Sequence, residues 1–226
     1  GKRLVDVILD KAGAKGTGKW TSQDAMERGM PIPSIDMAVT MRNLSSLKEE
    51  RVQASKIYPA QKASISVSKE QFIQQVHDAL YFGTIISYVQ GMALLHRAST
   101  ELDMQIPMPE VVRVWRGGCI IRSVMLDLFA KAYQQNPGLP NLLLDNGIAE
   151  ALKKTEHGLR DAITTAVQNK IAVGGLMTAL AYFEAYRNER MPINLLQAQR
   201  DYFGAHTYQR IDEPGVFHTE WLRVES

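Results

Sequence analysis

The sequence predicts an all-α fold: a large multi-helix domain with a long central helix and an extended C-terminal tail. Three observations lead there. Apolar residues recur at three- and four-residue spacing along most of the chain, while the alternation expected of strands is scarce. A capping box, Ser68-Lys69-Glu70-Gln71, opens a helical pattern that runs to about Leu102, with Phe72, Val76, Ala79, Ile86, Val89 and Ala93 near one stripe. After Gly204 the pattern stops, yet the tail keeps Tyr208, Val216, Phe217 and Trp221. Disordered tails are usually poor in aromatics, so this one is expected to dock on its own domain or on a partner subunit.

The elements follow in order. Leu4, Val5, Val7 and Ile8 share a helical face, with Gly13 placed to end that helix. Thr21 with Asp24 reads as a capping box for a short helix that stops at Gly29, before Pro31. Ser34 can cap the next, which carries Ile35, Ala38 and Val39 and continues through Leu44 and Leu47 towards Gln53. A loop around Pro59–Ser66 precedes the long helix. Pro109 suits the first turn of another helix, interrupted or closely packed at Gly117-Gly118, and Asn136-Pro137-Gly138 is a turn. Helical stretches follow over roughly Glu156–Asn169 and Gly175–Asn188, and Pro192 opens the last helix, with Leu195, Leu196 and Gln199.

Charge excludes some partners. Over 226 residues, 26 Lys and Arg stand against 24 Asp and Glu, leaving +2, so no whole-chain field favours nucleic acid or an acidic membrane. Any anion site must be a local cluster. The single cysteine, Cys119, rules out an intramolecular disulfide, fits a reducing compartment and reads as a buried small residue rather than a nucleophile. Asp6 and Asp10 come too early for a signal peptide, and no apolar run reaches the ~18–20 residues of a membrane span. A cytoplasmic protein is expected.

Three local features invite chemistry. Gly13-Ala14-Lys15-Gly16-Thr17-Gly18-Lys19-Trp20-Thr21 nearly spells the triphosphate-binding P-loop, but Trp20 stands where a magnesium-binding hydroxyl is required, and no strand pattern precedes it. Converging amides, two lysines and a following helix start still favour an anion such as phosphate; a solvated turn is the plain alternative. Arg42 falls in line with Ile35 and Val39, so it either snorkels to the surface or faces a polar cavity with an anionic partner. Arg200 and His206, six apart across Gly204, either converge on one ligand or are cations placed on a helix-end dipole. His77, His96 and His157 stand singly, so no metal site is expected.

The wording of several blocks goes further. Lys15–Thr21, Leu44-Ser45-Ser46-Leu47-Lys48-Glu49-Glu50-Arg51, Trp115-Arg116-Gly117-Gly118-Cys119-Ile120-Ile121-Arg122-Ser123, Asn136-Pro137-Gly138-Leu139, Gln197–Tyr208 and Gly215–Trp221 resemble, in order and spacing, the 6-phosphogluconate dehydrogenase family. The resemblance implies a homodimeric enzyme of the pentose phosphate pathway. Such an enzyme oxidises and decarboxylates 6-phosphogluconate to ribulose 5-phosphate and carbon dioxide, reducing NADP to NADPH. It implies that Lys15 and the Thr17 hydroxyl bind the substrate phosphate, that Arg42 joins them, and that Arg200 and His206 are the pair contributed by the neighbouring subunit to a shared active site.

The resemblance places no catalytic residue in this chain: the family's lysine base and glutamate acid would precede Gly1. So would the Rossmann domain with its G-x-G-x-x-G turn, which would hold most of the NADP. The expectation is therefore a C-terminal part, inactive alone. Residues 1–206 would form the helical substrate-binding and dimerisation domain, and 207–226 a tail docking on the partner subunit. A non-catalytic helical module that binds a sugar phosphate or dimerises is the alternative.

Overall fold

A computed structural model describes residues 1–60 and 64–221; part of the predicted loop Pro59–Ser66 and the end of the tail lie outside the described residues. The helices follow in order as α1 (Thr17–Glu27), α2 (Pro33–Ser46), α3 (Lys48–Ile57), α4 (Lys69–Glu101), α5 (Met108–Gly118), α6 (Leu126–Gln135), α7 (Asn146–Gln168), α8 (Gly174–Tyr186) and α9 (Ile193–Gly204). Helix accounts for 66% of the described residues, roughly twice the ordinary share, and no β-strand occurs among them. The all-α prediction holds. The chain divides into two compact units, Gly1–Phe183 and Glu184–Ser226.

Helix α4 organises the first unit. Ser68 caps it as predicted, its hydroxyl oxygen accepting the Gln71 amide at 3.1 Å. Phe82, Ile85, Ile86, Val89 and Met92 are all fully covered. A helix buried on several faces runs through a core rather than along one. Val76, expected in the buried stripe, is exposed, and Gln75 is buried instead, donating to Asp161 of α7 at 3.0 Å. Around α4 the core is filled by Val112 of α5, Phe129 and Tyr133 of α6, and Ile148, Leu152 and Leu159 of α7.

Helix α7 begins well before the predicted Glu156, because the Asp145 carboxylate caps it by accepting the Ile148 amide at 3.0 Å. It meets α4 at Gly158. A Cβ there would sit 2.5 Å from Asp78 Cβ and 2.8 Å from Asp78 Oδ2, so the two backbones approach as closely as they do only because residue 158 has no side chain.

Three boundaries near the N-terminus differ from prediction. Leu4–Val7 form a short 3-10 turn with every residue exposed, not an amphipathic helix; with nothing to pack on, so few residues cannot sustain one. Helix α1 starts at Thr17, ahead of the expected Thr21 cap, and Thr21 instead donates back to Thr17 O at 2.9 Å. The single helix expected from Ser34 towards Gln53 is two. Ser45 and Ser46 turn their hydroxyls onto the carbonyls of Arg42 and Asn43, at 2.7 and 2.6 Å, and the chain breaks at Leu47. Ser34 is no cap either: it is buried in the first turn after Pro33, its amide and hydroxyl paired with Gln90 of α4 at 2.9 and 3.0 Å. Cys119 is half-buried, its thiol against Trp115 O at 3.3 Å. No helix among the described residues is long and apolar enough to cross a membrane.

Gly158→Ala should lower stability by about 1–3 kcal/mol, the usual cost of forcing extra volume into a packed contact. Thermal unfolding followed by circular dichroism measures it. A melting temperature equal to the parent's would contradict the close approach of α4 and α7.

Candidate functional site

The glycine-rich segment is held at both ends. Gly16 caps α1 with φ +98°, a left-handed conformation in which glycine avoids the penalty of a side chain, and the Trp20 ring lies over it, 3.6 Å from where a Cβ would be. Two residues on, Gly18 lies against α2, a Cβ there falling 2.9 Å from Val39 Cγ2. Upstream, the Ala12 amide donates to Ser45 Oγ at 2.9 Å. Val39, Arg42 and Ser45 are spaced by three along α2, so the two points that grip the segment flank Arg42. The segment that carries Lys15 and Thr17 thus runs along the stretch of α2 that carries Arg42.

Charge supports that placement. The Asp10 carboxylate accepts from Lys48 Nζ at 2.5 Å and Arg51 Nη1 at 2.8 Å, while Arg51 Nη2 reaches the carbonyls of Asp10 and Ser45, each at 3.1 Å. The Lys48 hydrogen bond, then that of Arg51, holds the Asp10 carboxyl well below the usual carboxylate range. These α3 cations are therefore engaged in fixing the loop. Lys15, Thr17 and Arg42 are exposed, and Thr17 opens α1, where free backbone amides and the helix dipole favour an anion. The apolar line through Ile35 and Val39 does not extend to Arg42; those two are half-buried and Arg42 stands in solvent.

Arg200 and His206 belong to the second unit, both exposed, at the end of α9. Between them lies a residue that the sequence reading passed over. Asp201 is completely buried and accepts four hydrogen bonds: from Thr207 N at 2.9 Å, His218 Nδ1 at 2.9 Å, Thr219 N at 3.0 Å and Trp221 Nε1 at 2.9 Å. Burial alone would raise its pKa. The bonds from Thr219, His218, Trp221 and Thr207 outweigh that and leave it well below the usual carboxylate range. A signal was available, since an acid in the last turn of a helix opposes the dipole and needs specific partners.

The backbone around His206 is unusual. Ala205 (φ +50°) and Thr207 (φ +62°) are both left-handed without being glycine, each at a cost of roughly 1–2 kcal/mol. Beyond them Tyr208 and Phe217 form an isolated antiparallel bridge, with bonds of 2.9 and 2.8 Å, and their rings stack. The described part of the tail is thus ordered around the carboxylate of Asp201.

A cleft of about 970 Å³ opens in the first unit, lined by Trp20, Tyr88, Leu94, Trp115 and Ile121, with Arg122 the cation on its wall. Its apolar lining does not suit a phosphate, and Lys15, Thr17 and Arg42 are not part of it.

The comparisons agree on one family. The family model described as 6-phosphogluconate dehydrogenase, C-terminal domain, matches residues 1–221. The chain belongs to that family. It is 48% identical to the decarboxylating 6-phosphogluconate dehydrogenase of Escherichia coli, aligning over 98% of this chain and 47% of that protein. It is 46% identical to the NADP(+)-dependent, decarboxylating enzyme of Bacillus subtilis, over 99% and 48%. The Plasmodium falciparum 6-phosphogluconate dehydrogenase, solved as apo form and with NADP+ or 6-phosphogluconate, superposes with a TM-score of 0.92 at 44% identity, over 96% of this chain and 47% of that one. The chain therefore spans about half the length of the relatives it matches. Among the described residues the isolated bridge is the sole β pairing, so they supply no strand–turn–helix unit of the kind that holds a dinucleotide.

The depressed pKa of Asp201 sets a pH dependence. A carboxyl whose folded pKa lies below its unfolded value adds stability above the unfolded pKa, near ~3.9, and that stability is lost as pH falls from there through the folded value. With Trp20 and Trp115 replaced by Phe, Trp221 fluorescence should stay constant from neutral pH to about 4 and change below it. A change well above pH 4 instead would show that Asp201 does not control tail docking.

Proposed function

We propose that this chain is the substrate-phosphate-binding and dimerisation half of an NADP-dependent, decarboxylating 6-phosphogluconate dehydrogenase acting in the cytoplasm. The observation that carries the reading is the joint exposure of Lys15, Thr17 and Arg42 around a pinned helix start, in a chain of this family. A sugar phosphate is a dianion near neutral pH. A lysine, a forked guanidinium, a hydroxyl and free helix amides are the donors that suit it.

In this reading the phosphate is anchored by Lys15, Thr17 and Arg42, and the reacting end of the sugar projects away from them. NADP, held by the half of the enzyme outside this chain, supplies the hydride acceptor; the lysine and glutamate for proton transfer lie there too. Residues 1–206 form the substrate-binding and dimerisation domain, and 207–226 dock on the partner subunit. Arg200 and His206 serve the partner's site, so that each active site is shared. The second unit supports an interface role: Leu195, Phe203, Ile211 and Val216 are all well exposed, an unusual amount of apolar surface for so short a segment.

In the full-length enzyme, Lys15→Ala and Arg42→Ala should each raise KM for 6-phosphogluconate about ten- to a hundredfold, matching the roughly 1.5–3 kcal/mol of a charge-assisted bond. KM for NADP should stay near the parent value. Unphosphorylated gluconate should be used equally poorly by mutants and parent. Mutants that still prefer the phosphorylated substrate as strongly as the parent does would show that these residues do not hold the phosphate.

Sharing of sites has its own test. Arg42→Ala and Arg200→Ala enzymes should each be weak, but in a mixed dimer one site carries both lesions and the other none. Random exchange gives about half mixed dimers, and so about a quarter of parental activity. If heterodimers verified with two affinity tags recover nothing, Arg200 serves its own subunit.

A further inference from the structure

We propose that Gln197, Asp201 and Gly204 are positioning residues for His206, fixing the chain on both sides of it and providing the surface on which its ring rests. The proposal rests on the reading above, in which His206 meets the substrate.

Three backbone groups flanking His206 are tied. The Ala205 amide donates to Asp201 O at 2.9 Å, the Thr207 amide to Asp201 Oδ1 at 2.9 Å, and Gln197 Nε2 donates to Thr207 O at 2.7 Å. These bonds hold the left-handed pair Ala205 and Thr207 in place, and with them the direction in which residue 206 leaves the helix. Gly204 contributes differently. It lies within α9 and its φ is not left-handed, so the backbone does not require glycine. A Cβ at 204 would stand 3.0 Å from His206 Nε2 and 3.1 Å from Cδ2, tighter than ordinary contact. The imidazole lies directly on the bare α-carbon. A methyl group there would move the ring and leave the helix intact.

That separates a positioning role from a structural one. Alanine favours helix over glycine, so Gly204→Ala should melt at or above the parent temperature. The test is a titration of 6-phosphogluconate into the purified chain, followed by ³¹P NMR, for the parent, Gly204→Ala, His206→Ala and the double variant. His206→Ala should weaken binding about tenfold, Gly204→Ala severalfold, and the double variant no more than His206→Ala alone, because the two lesions act through one side chain. Gln197→Leu should behave as Gly204→Ala does.

Unchanged binding in Gly204→Ala, or a loss that repeats undiminished in the His206→Ala background, overturns the positioning proposal and leaves the functional reading standing. Unchanged binding in His206→Ala, or no binding by the parent, overturns the functional reading and the proposal with it.

Discussion

Helix α7 brings the bare backbone of Gly158 against Asp78 of α4, and the first unit is assembled outward from that contact. Because α7 cannot move away without leaving Asp78 and Gln75 unpacked, α4 is held in a fixed rotation about its axis. That rotation turns Gln90 towards Ser34, where two buried hydrogen bonds seat α2. A seated α2 presents Val39 to Gly18 and Ser45 to Ala12, and these contacts set the glycine segment. Lys15 is thus placed by a series of contacts that begins in the core, although it lies in solvent. Exposed residues gain accuracy in this way: their own mobility is offset by the rigidity of what they are built on.

Much of this was legible in the sequence. The long helix, its cap, the turn at Asn136–Gly138 and the last helix after Pro192 all rest on local chemistry, in which a hydroxyl or a missing amide decides the outcome. The misread boundaries share another cause. Ser34, Ser45 and Ser46 each had a local role on paper, and the structure gave them tertiary or back-bonding ones. Thr21 stood three residues before an acid and so looked like a cap, yet Gly16 takes that place because a left-handed glycine can precede the helix directly. Hydrogen-bonding side chains near helix ends have several satisfactory partners, and spacing does not choose among them.

The site divides the same way. Residue types and spacing suggested an anion near Lys15 and Thr17 but left Arg42, Arg200 and His206 ambiguous; only the resemblance of whole blocks joined them. Asp201, despite the signal of an acid in a helix's last turn, and Gly204 were passed over because their importance is relational. One is an acid whose four donors come from up to 20 residues along the chain, and the other is a glycine defined by the ring above it.

The carboxylate of Asp201 also changes the topology of the tail. By joining the end of α9 to residues 207, 218, 219 and 221, it closes nested rings in the chain, as a covalent staple would. Unlike a disulfide, these bonds are absent from the unfolded ensemble and take no freedom from it, so the staple forms and dissolves with the fold itself. In a chain with one cysteine this is a crosslink that no reductant can open and no oxidant is needed to make. Its members stand or fall together, so the described tail opens as a single cooperative element rather than fraying from its end.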